Sequence, residues 1–513
     1  MRAPVSVLPL AFTGALAALV LLPRVHQQPR VLWSFAAACA VLLAWHLILL
    51  ATRARRHRLT IEVALRRQHY LQACAQGSVL LYWGWYWRPV YDHAYFIAAQ
   101  LLFAYAFDML LAWSRRDQYT LGFGPFPVIF SINLFLWFRD DWLFLQFAMV
   151  AAGFAAKELI TWEKNGRRAH IFNPSSFPLA AAAVVLLATG ASDITWGRQI
   201  ATTQFYPPHM YLWLFVIGLP GQFFFGVTSM TMSAVVATYV AGLAYYAATG
   251  VYFFYDCYIP IAVFLGMHLL FTDPSTSPRT ELGRIIFGAL YGLSTMALYV
   301  LLGRAGLPTF YDKLLQVPVL NLSVKLIDRA AQSAWLGSLS PARLGAALVG
   351  QRRHLAYIGV WMVVFSAMAL ANGVGDRHPG QWLPFWEKAC EAERPFACDY
   401  LAQRESELCD QGSGWACNEY GLLQRERDVE GPGPLPSFTR GCAIGFSAAC
   451  LNTLRMRQGE VRLVTTGPTL DDLPILLRGS KGPVAGRSPQ SLYAEACRRG
   501  WPATCQQAAV AVR

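Results

Sequence analysis

Charged residues are scarce in this chain. Asp, Glu, Lys and Arg together make up 14% of its 513 residues, whereas soluble domains carry about 25%. This scarcity excludes a soluble enzyme, a small secreted disulfide protein and a disordered chain. Hydrophobic residues reach 55% and predict a polytopic membrane protein. The net charge of +13 does not require nucleic acid as a partner, because arginines at the ends of membrane spans give the same excess.

Several motifs that identify redox or metal chemistry are missing from the sequence. There is no C-x-x-C-H haem motif, no iron–sulfur cysteine set and no dinucleotide-binding fingerprint. The polar C-terminal region holds a single histidine, His378, which argues against a zinc site there. We therefore assign no catalytic residue and no metal ligand.

About thirteen apolar runs are long enough to cross a bilayer as helices. They lie at about 4–23, 31–52, 71–87, 94–113, 121–138, 142–162, 174–190, 209–229, 231–254, 257–271, 284–303, 313–328 and 355–373. Alternate connections hold about eighteen basic residues on one side against about seven on the other, which makes the richer side cytoplasmic. We therefore expect a cytoplasmic N-terminus and an extracytoplasmic region after the last run.

The composition changes near Asn372-Gly373, where a mostly polar region begins. The predicted fold is all-α, a transmembrane helical bundle followed by a second, extracytoplasmic helical domain. The predicted regions are two extra N-terminal helices with a basic cytoplasmic loop at 1–65, a membrane core at 66–330, a cytoplasmic linker with a final transmembrane helix at 331–373, and the extracytoplasmic domain at 374–513.

Eight of the eleven cysteines lie in the polar region, in four pairs with the same C-x7-C spacing. This repeated local spacing favours four disulfides, each joining two short helices across a turn, and disulfides require an oxidising compartment. The predicted pairs are Cys390–Cys398, Cys409–Cys417, Cys442–Cys450 and Cys497–Cys505. The pairs resemble cysteine-rich Sel-one-like helical repeats, which implies stacked helices that dock an extracytoplasmic protein partner.

Two short polar motifs interrupt the apolar runs. In FNPSSF, Asn173-Pro174-Ser175 breaks one helix and leaves free N–H groups at the start of the next, where a phosphate or an electron-rich ring edge binds well. In FTDPSTSPR, Thr272-Asp273 places a carboxylate and a hydroxyl at the inner end of a span. A plain helix cap and a structural turn are equally good interpretations.

Together and in this order, the two motifs resemble the RnfD/NqrB family of membrane flavoprotein subunits. AAKE at 155–158 with IFNP at 171–174 is similar to that family's AK…FNP region. LFTDPSTSPRTELGRIIFGALYGL, from residue 270, is similar to its TDP-x-[ST]…GR-x-x-[FY]GAL segment, and 319–328 resembles its last span. HIFNPSSFPL, WGRQIATT and PPHMYLW look closest to the UnbU-like branch found beside enediyne biosynthesis genes. The resemblance covers about 66–330 and implies a core of ten spans.

The resemblance implies electron transfer by bound flavin, coupled to Na⁺ or H⁺ transport, inside a complex with other membrane subunits. It implies that Asn173, Pro174, Ser175, Thr272 and Asp273 lie at a site for FMN or riboflavin.

Family members also carry an FMN esterified to a Thr in an S-G-A-T-like motif outside the membrane. The expected D-x-x-S-G-A-T-P-L segment is missing here, and the nearest match is TGAS at 189–192. Ser192 Oγ would then be the attachment atom, on the predicted outer side. An ordinary glycine-containing helix exit is the alternative.

Ionisable residues inside predicted spans are costly unless partnered, so Asp108, Glu158 and His268 are candidates for an ion pathway. Each has a structural alternative. The Asp108 side chain can reach the membrane surface, Glu158 can pair with a neighbouring Arg, and His268 can be a hydrogen-bonded histidine of the helix bundle.

The leading hypothesis is a flavin-dependent electron-transfer subunit of an ion-translocating oxidoreductase complex in the bacterial inner membrane. A second is a flavin-free permease on the same fold, with Asn173, Asp273 and Glu158 lining the substrate path. A third is a membrane scaffold that presents the repeat domain to an external partner.

Overall fold

A computed structural model describes residues 7–53, 57, 59–164, 166–341, 350–374, 377–427, 429, 431–478 and 488–510. Residues 54–56 and 58 of the predicted basic loop and 342–349 of the predicted linker lie outside them. The chain is 72% helical. It divides into two compact units, Met1–Thr238 with Ile259–Met368, and Tyr239–Tyr258 with Ala369–Arg513.

Six of the described helices are long and apolar enough to cross a membrane. They are Pro29–Thr52, Ala94–Arg115, Asp140–Leu159, Thr228–Thr249, Glu281–Arg304 and Gln351–Leu370. Their outward side chains are also apolar: Trp33 is 73% exposed and Val363 is 69% exposed. Such surfaces suit a bilayer, so the prediction of several membrane-length helices is confirmed.

The helices before residue 371 are, in chain order, α1 (Leu8–Ala18), α2 (Pro23–His26), α3 (Pro29–Thr52), α4 (Arg67–Tyr86), α5 (Pro89–Asp92), α6 (Ala94–Arg115), α7 (Pro125–Asn133), α8 (Leu143–Leu159), α9 (Ser176–Thr189), α10 (Gly197–Thr203), α11 (Met210–Phe225), α12 (Thr228–Thr249), α13 (Ile261–Leu269), α14 (Glu281–Arg304), α15 (Asp312–Ala331), α16 (Ala334–Gly337) and α17 (Gln351–Leu370).

Two of the predicted spans are short helices followed by irregular chain. The apolar run 121–138 is helical only over α7, and the run 257–271 only over α13, each nine residues long. After α7 the buried residues Leu134–Phe138 leave the helix, and the side chains of Gln146 and Gln204 bind their backbone groups. Hydropathy alone predicted both runs as complete helices, because it does not distinguish an apolar helix from apolar irregular chain.

The two short helices, α7 and α13, are each the third member of a series of five helices. The order α4, α6, α7, α8, α9 is followed by α11, α12, α13, α14, α15. The packing repeats as well: α4 contacts α7 as α11 contacts α13, and α8 contacts α9 as α14 contacts α15. The two first helices, α4 and α11, pack together, and so do the two last, α9 and α15.

The prediction of an all-α fold is wrong in one respect, since four short strands form two small sheets. Strand β1 (Thr60–Val63) pairs in parallel with β2 (Gln118–Leu121). Strands β3 (Thr161–Lys164) and β4 (Arg167–His170) form an antiparallel hairpin, which turns at Gly166 with φ of 70°. The segments TIEV and QYTL do alternate polar and apolar residues as a strand would, but each alternation is only four residues long.

The second unit is built from short helices joined at tight turns. They are α18 (Leu383–Glu391), α19 (Ala397–Asp410), α20 (Gly414–Glu426), α21 (Pro434–Ile444), α22 (Ser447–Arg457), α23 (Leu473–Leu476), α24 (Pro489–Arg499) and α25 (Ala503–Val510). The structure forms Cys390–Cys398, Cys409–Cys417, Cys442–Cys450 and Cys497–Cys505. Each disulfide joins the end of one helix to the start of the next, and their presence indicates an oxidising, extracytoplasmic environment.

Candidate functional site

Asn173 begins α9 and holds it against a second segment of chain. Its Oδ1 accepts hydrogen bonds from the Ser175 N–H at 3.0 Å, the Ser175 hydroxyl at 2.8 Å and the Ser176 N–H at 3.1 Å. Its Nδ2 donates to the Leu270 carbonyl at 2.9 Å. Asn173 is therefore a helix cap that also binds the backbone just before Thr272-Asp273.

Asn321 on α15 joins the two predicted motifs directly. Its Oδ1 accepts from the Asn173 N–H at 3.1 Å, and its Nδ2 donates to the Thr276 carbonyl at 3.1 Å. Asn321 is 1% exposed. The two motifs, which lie 97 residues apart in the chain, thus form one buried polar junction.

The remaining motif residues complete this junction. Thr272 Oγ1 donates to the His268 carbonyl at 3.0 Å. Asp273 accepts from the Ser275 N–H at 2.9 Å and lies 3.3 Å from His170 Nε2. Burial opposes ionisation of Asp273, but His170 and the Ser275 N–H outweigh it and lower the pKa of this carboxyl.

Close backbone packing surrounds Pro174. A Cβ added to Gly153 on α8 would lie 2.4 Å from the Pro174 carbonyl oxygen. A larger side chain at Gly153 would therefore push α8 away from the start of α9.

A polar cavity of about 280 Å³ lies in the first unit, beside the start of α7. Its charged lining comes from the start of α4, from α6 and the residue after it, and from the end of α8, and consists of Arg66, His69, Asp108, Arg116 and Lys157, while β2 adds Gln118, Tyr119 and Thr120. Two of the predicted ion-pathway residues lie at or beside it. Asp108 Oδ2 is 3.9 Å from Lys157 Nζ, and Glu158 Oε2 is 3.1 Å from Arg116 Nη2. Both carboxylates are thus paired with cations.

His268, the third ion-pathway candidate, lies elsewhere in the same unit. Its Nδ1 is 2.8 Å from the Phe264 carbonyl. A cavity of about 10 Å³, room for about one water-sized ligand, is lined by His268, Gln222 and Thr272. Among the described residues, neither His268 Nε2 nor either amide atom of Gln222 has a hydrogen-bond partner.

Ser192, the predicted attachment residue, begins a short 3₁₀ turn, Ser192–Ile194. The Tyr311 hydroxyl donates to Ser192 Oγ at 3.2 Å. The side chain is partly exposed, so a modifying enzyme has access to it, although the bond from Tyr311 occupies one of its lone pairs.

The fit of these sites to a flavin differs. The polar atoms of Asn173 are already bonded within the chain, and Thr272 lines the small cavity beside His268. Ligand cavities usually measure at least about 300 Å³, so the 280 Å³ cavity is the better match. Its two Arg and one Lys suit a phosphate or the electron-rich edge of a flavin ring.

Several residues that shape these sites were not predicted. Asn321 lies in the segment 319–328, which resembles the last span of the RnfD/NqrB family, but nothing in that segment marked it as a site residue. Asp312 and Lys313, 3.4 Å apart, are both buried at the start of α15. The sequence signal that could have identified them was the presence of two charged residues at the edge of a predicted span.

The second unit contains a cluster of buried carboxyls. Burial and the nearby Glu419 and Glu387 raise the pKa of Glu405 well above its usual value. Burial also raises the pKa of Glu419 and of Glu387 to about 7, each with a contribution from a neighbouring carboxylate.

Comparisons of the chain with protein-family models, with curated proteins and with solved structures found no match. The resemblance to the RnfD/NqrB family therefore stays a prediction that depends on the two motifs.

We expect Asn321→Leu to destabilise the first unit by about 2–4 kcal/mol, because it leaves two buried backbone groups without partners. SDS-induced unfolding of the full-length protein measures this loss. Ser323→Ala is the matched control on the same helix, since its hydroxyl bonds only to Leu320 within α15, and we expect a change below about 0.5 kcal/mol. Equal stability of the two variants would contradict the role of Asn321.

We expect the second unit to lose stability as the pH rises from about 4.5 to about 7. The folded-state pKa of Glu405, Glu419 and Glu387 is raised, so these carboxyls stabilise the fold while protonated and destabilise it once ionised. Glu405→Gln should stabilise helix α19 by about 1–3 kcal/mol at pH 8 and have little effect at pH 4.5.

Amide exchange of residues 397–410 in the full-length protein, corrected for intrinsic pH dependence, reports this local stability. Glu407→Gln is the control, because its pair with Arg404 is partly exposed and lies within one helix, where such pairs contribute little. A pH-independent opening free energy in the wild type would refute the prediction.

Proposed function

We propose that the chain is a membrane subunit of the RnfD/NqrB type, which relays electrons through bound flavin and couples the redox change to movement of Na⁺ or H⁺. One observation carries this proposal: the two motifs behind the resemblance, far apart in sequence, form a single junction through Asn173 and Asn321. A junction of this kind fits two motifs that serve one site.

The repeated order of five helices supports a ten-span core at 66–330. When a repeat has an odd number of spans, its second copy has the opposite orientation in the bilayer. Transporters built from inverted repeats of this kind typically contain interrupted helices. In the proposed topology the N-terminus is cytoplasmic and the disulfide-bonded unit is periplasmic, at the bacterial inner membrane. Other subunits of the complex would supply and remove the electrons.

The 280 Å³ cavity is the proposed flavin site. Arg66, Arg116 and Lys157 would hold the phosphate of FMN, and Asp108 and Glu158 would keep two of these cations in place. Bound flavin would supply a carrier for one or two electrons. Asn173 and Asn321 then act by positioning α8 and α9 behind the cavity.

A flavin-free permease on the same fold is the second candidate. The observation that favours it is the small cavity where His268 and Gln222 present polar atoms that no described residue binds. That cavity suits a single ion or water and lies after the short helix α13. The third hypothesis, a scaffold, predicts that deletion of 374–513 abolishes function while the membrane core stays folded.

An absorption spectrum of the detergent-purified protein, from cells that also express a flavin transferase, tests the proposal. We expect a flavin absorption band that is lost on denaturation. When FMN is the ligand, we expect Arg66→Gln to weaken its binding about tenfold, a difference of about 1.4 kcal/mol. Riboflavin, which lacks the phosphate, should bind both forms equally.

A band that survives denaturing gel electrophoresis and disappears in Ser192→Ala would show a covalent flavin instead. Thr202→Ala, an exposed hydroxyl that bonds within its own helix, is the control for that variant. Absence of flavin from the folded protein, with no redox-dependent ion flux in vesicles, would contradict the proposal and favour the permease.

A further inference from the structure

An extended segment of the second unit lies along two of its helices. Residues 462–466 follow the turn after α22 and have no regular secondary structure. Their side chains are exposed or half-buried, and Val461 just before them is 80% exposed. The segment therefore lies at the surface, with the Val464 side chain packed against the hydrophobic core of this unit.

Side chains of α20 and α22 bind the backbone of this segment. Asn452 binds Val464 twice, with Nδ2 donating to its carbonyl at 2.7 Å and Oδ1 accepting from its N–H at 2.6 Å. Asn418 Nδ2 donates to the same carbonyl at 3.2 Å. The Asn452 amide thereby makes the two backbone hydrogen bonds that a neighbouring strand would make in a sheet.

The contacts recur at every second residue. Arg455 donates to the Arg462 carbonyl at 3.0 Å, and Trp415 Nε1 donates to the Thr466 carbonyl at 2.8 Å. Together with the bonds to Val464, the helices therefore bind the backbone of residues 462, 464 and 466. This spacing matches the two-residue period of an extended peptide, and backbone recognition of this kind tolerates many sequences.

Among these hydrogen bonds between the helices and residues 462–466, one involves a side chain of the segment. The Thr465 hydroxyl donates to Glu419, at 3.2 Å and 3.4 Å from its two oxygens. Glu419 is one of the three carboxyls of the cluster: Glu419 and Glu387 both raise the pKa of Glu405, and Glu387 raises the pKa of Glu419. A neutral hydroxyl is a weak partner for such a cluster, whereas a cation would pair with it.

The far end of the segment is anchored separately. Asp472 accepts from the Thr469 N–H and hydroxyl with one oxygen, and from the Ser413 hydroxyl and Trp415 N–H with the other. Residues 462–466 can therefore leave the helices while this anchor stays in place.

We propose that α20 and α22 form a binding site for an extended peptide of a partner protein that carries Lys or Arg at the position of Thr465, and that residues 462–466 occupy this site as an internal competitor. Affinity comes from the amide bonds to the peptide backbone, and selectivity comes from the carboxyl cluster at Glu419. This proposal is independent of flavin binding in the first unit.

Fluorescence anisotropy with two labelled peptides at pH 8 tests the proposal. One peptide has the sequence of residues 461–467, and the other has lysine in place of Thr465. The receptor is the full-length protein in detergent, as wild type and with residues 462–466 replaced by Gly and Ser. We expect the replaced protein to bind the lysine peptide at least tenfold more tightly than the threonine peptide.

Two further results are expected from the same titrations. Glu419→Gln in the replaced protein should remove the preference for lysine. Wild type should bind the lysine peptide at least tenfold more weakly than the replaced protein, because its own tethered segment competes at an effective concentration near millimolar. If a replaced protein with four intact disulfides binds neither peptide, or binds a peptide with proline in place of Val464 equally well, the proposal is wrong.

A second measurement covers the case in which the replaced protein does not fold. Thr465→Lys in the otherwise wild-type chain should slow amide exchange at Val464 about tenfold at pH 8, because the new cation holds the segment on the cluster. Thr466→Lys is the matched control, since only the backbone of Thr466 is bonded to the helices in this set. Equal exchange in the two variants would overturn the proposal.

Discussion

Backbone groups released from a helix in an apolar environment must find partners within the protein, because lipid offers none. This constraint shapes the first unit. Gln204 binds the Leu134 carbonyl where the chain leaves α7, and Asn173 binds the Leu270 carbonyl where it leaves α13. Buried amides suit this task, because each carries a donor and an acceptor without a charge. The short helices, and the cavities beside them, depend on these few side chains.

Part of this architecture could be predicted from sequence. Apolar runs such as 94–113 predicted membrane-length helices, and four equal cysteine spacings predicted the disulfides, because both signals are local. The partners of Asn321 could not be predicted, since its amide binds a residue 148 positions away. Hydropathy also did not reveal where α7 and α13 end. The chain does begin a new helix after 173–175, as the motif predicted, but the polar atoms of Asn173 are bonded within the chain, and the charged cavity had no motif of its own.

The second unit applies the same chemistry outside the membrane. Asn418 and Asn452 bind an extended backbone there, as Asn173 and Asn321 do in the first unit. The difference lies in exposure: the segment 462–466 lies at the surface, although the two amides that bind it are buried. The sequence around this segment did not show which surface the segment covers.

The central claim is that Asn173 and Asn321 act as one junction between the two motifs. A double-mutant cycle with Asn173→Ala and Asn321→Ala, followed by SDS-induced unfolding of the full-length protein, tests it most directly. The account predicts that the double variant loses about 1–3 kcal/mol less stability than the sum of the single variants, because either change already releases the same pair of segments. Losses that add within about 0.5 kcal/mol would contradict the account and show two independent caps.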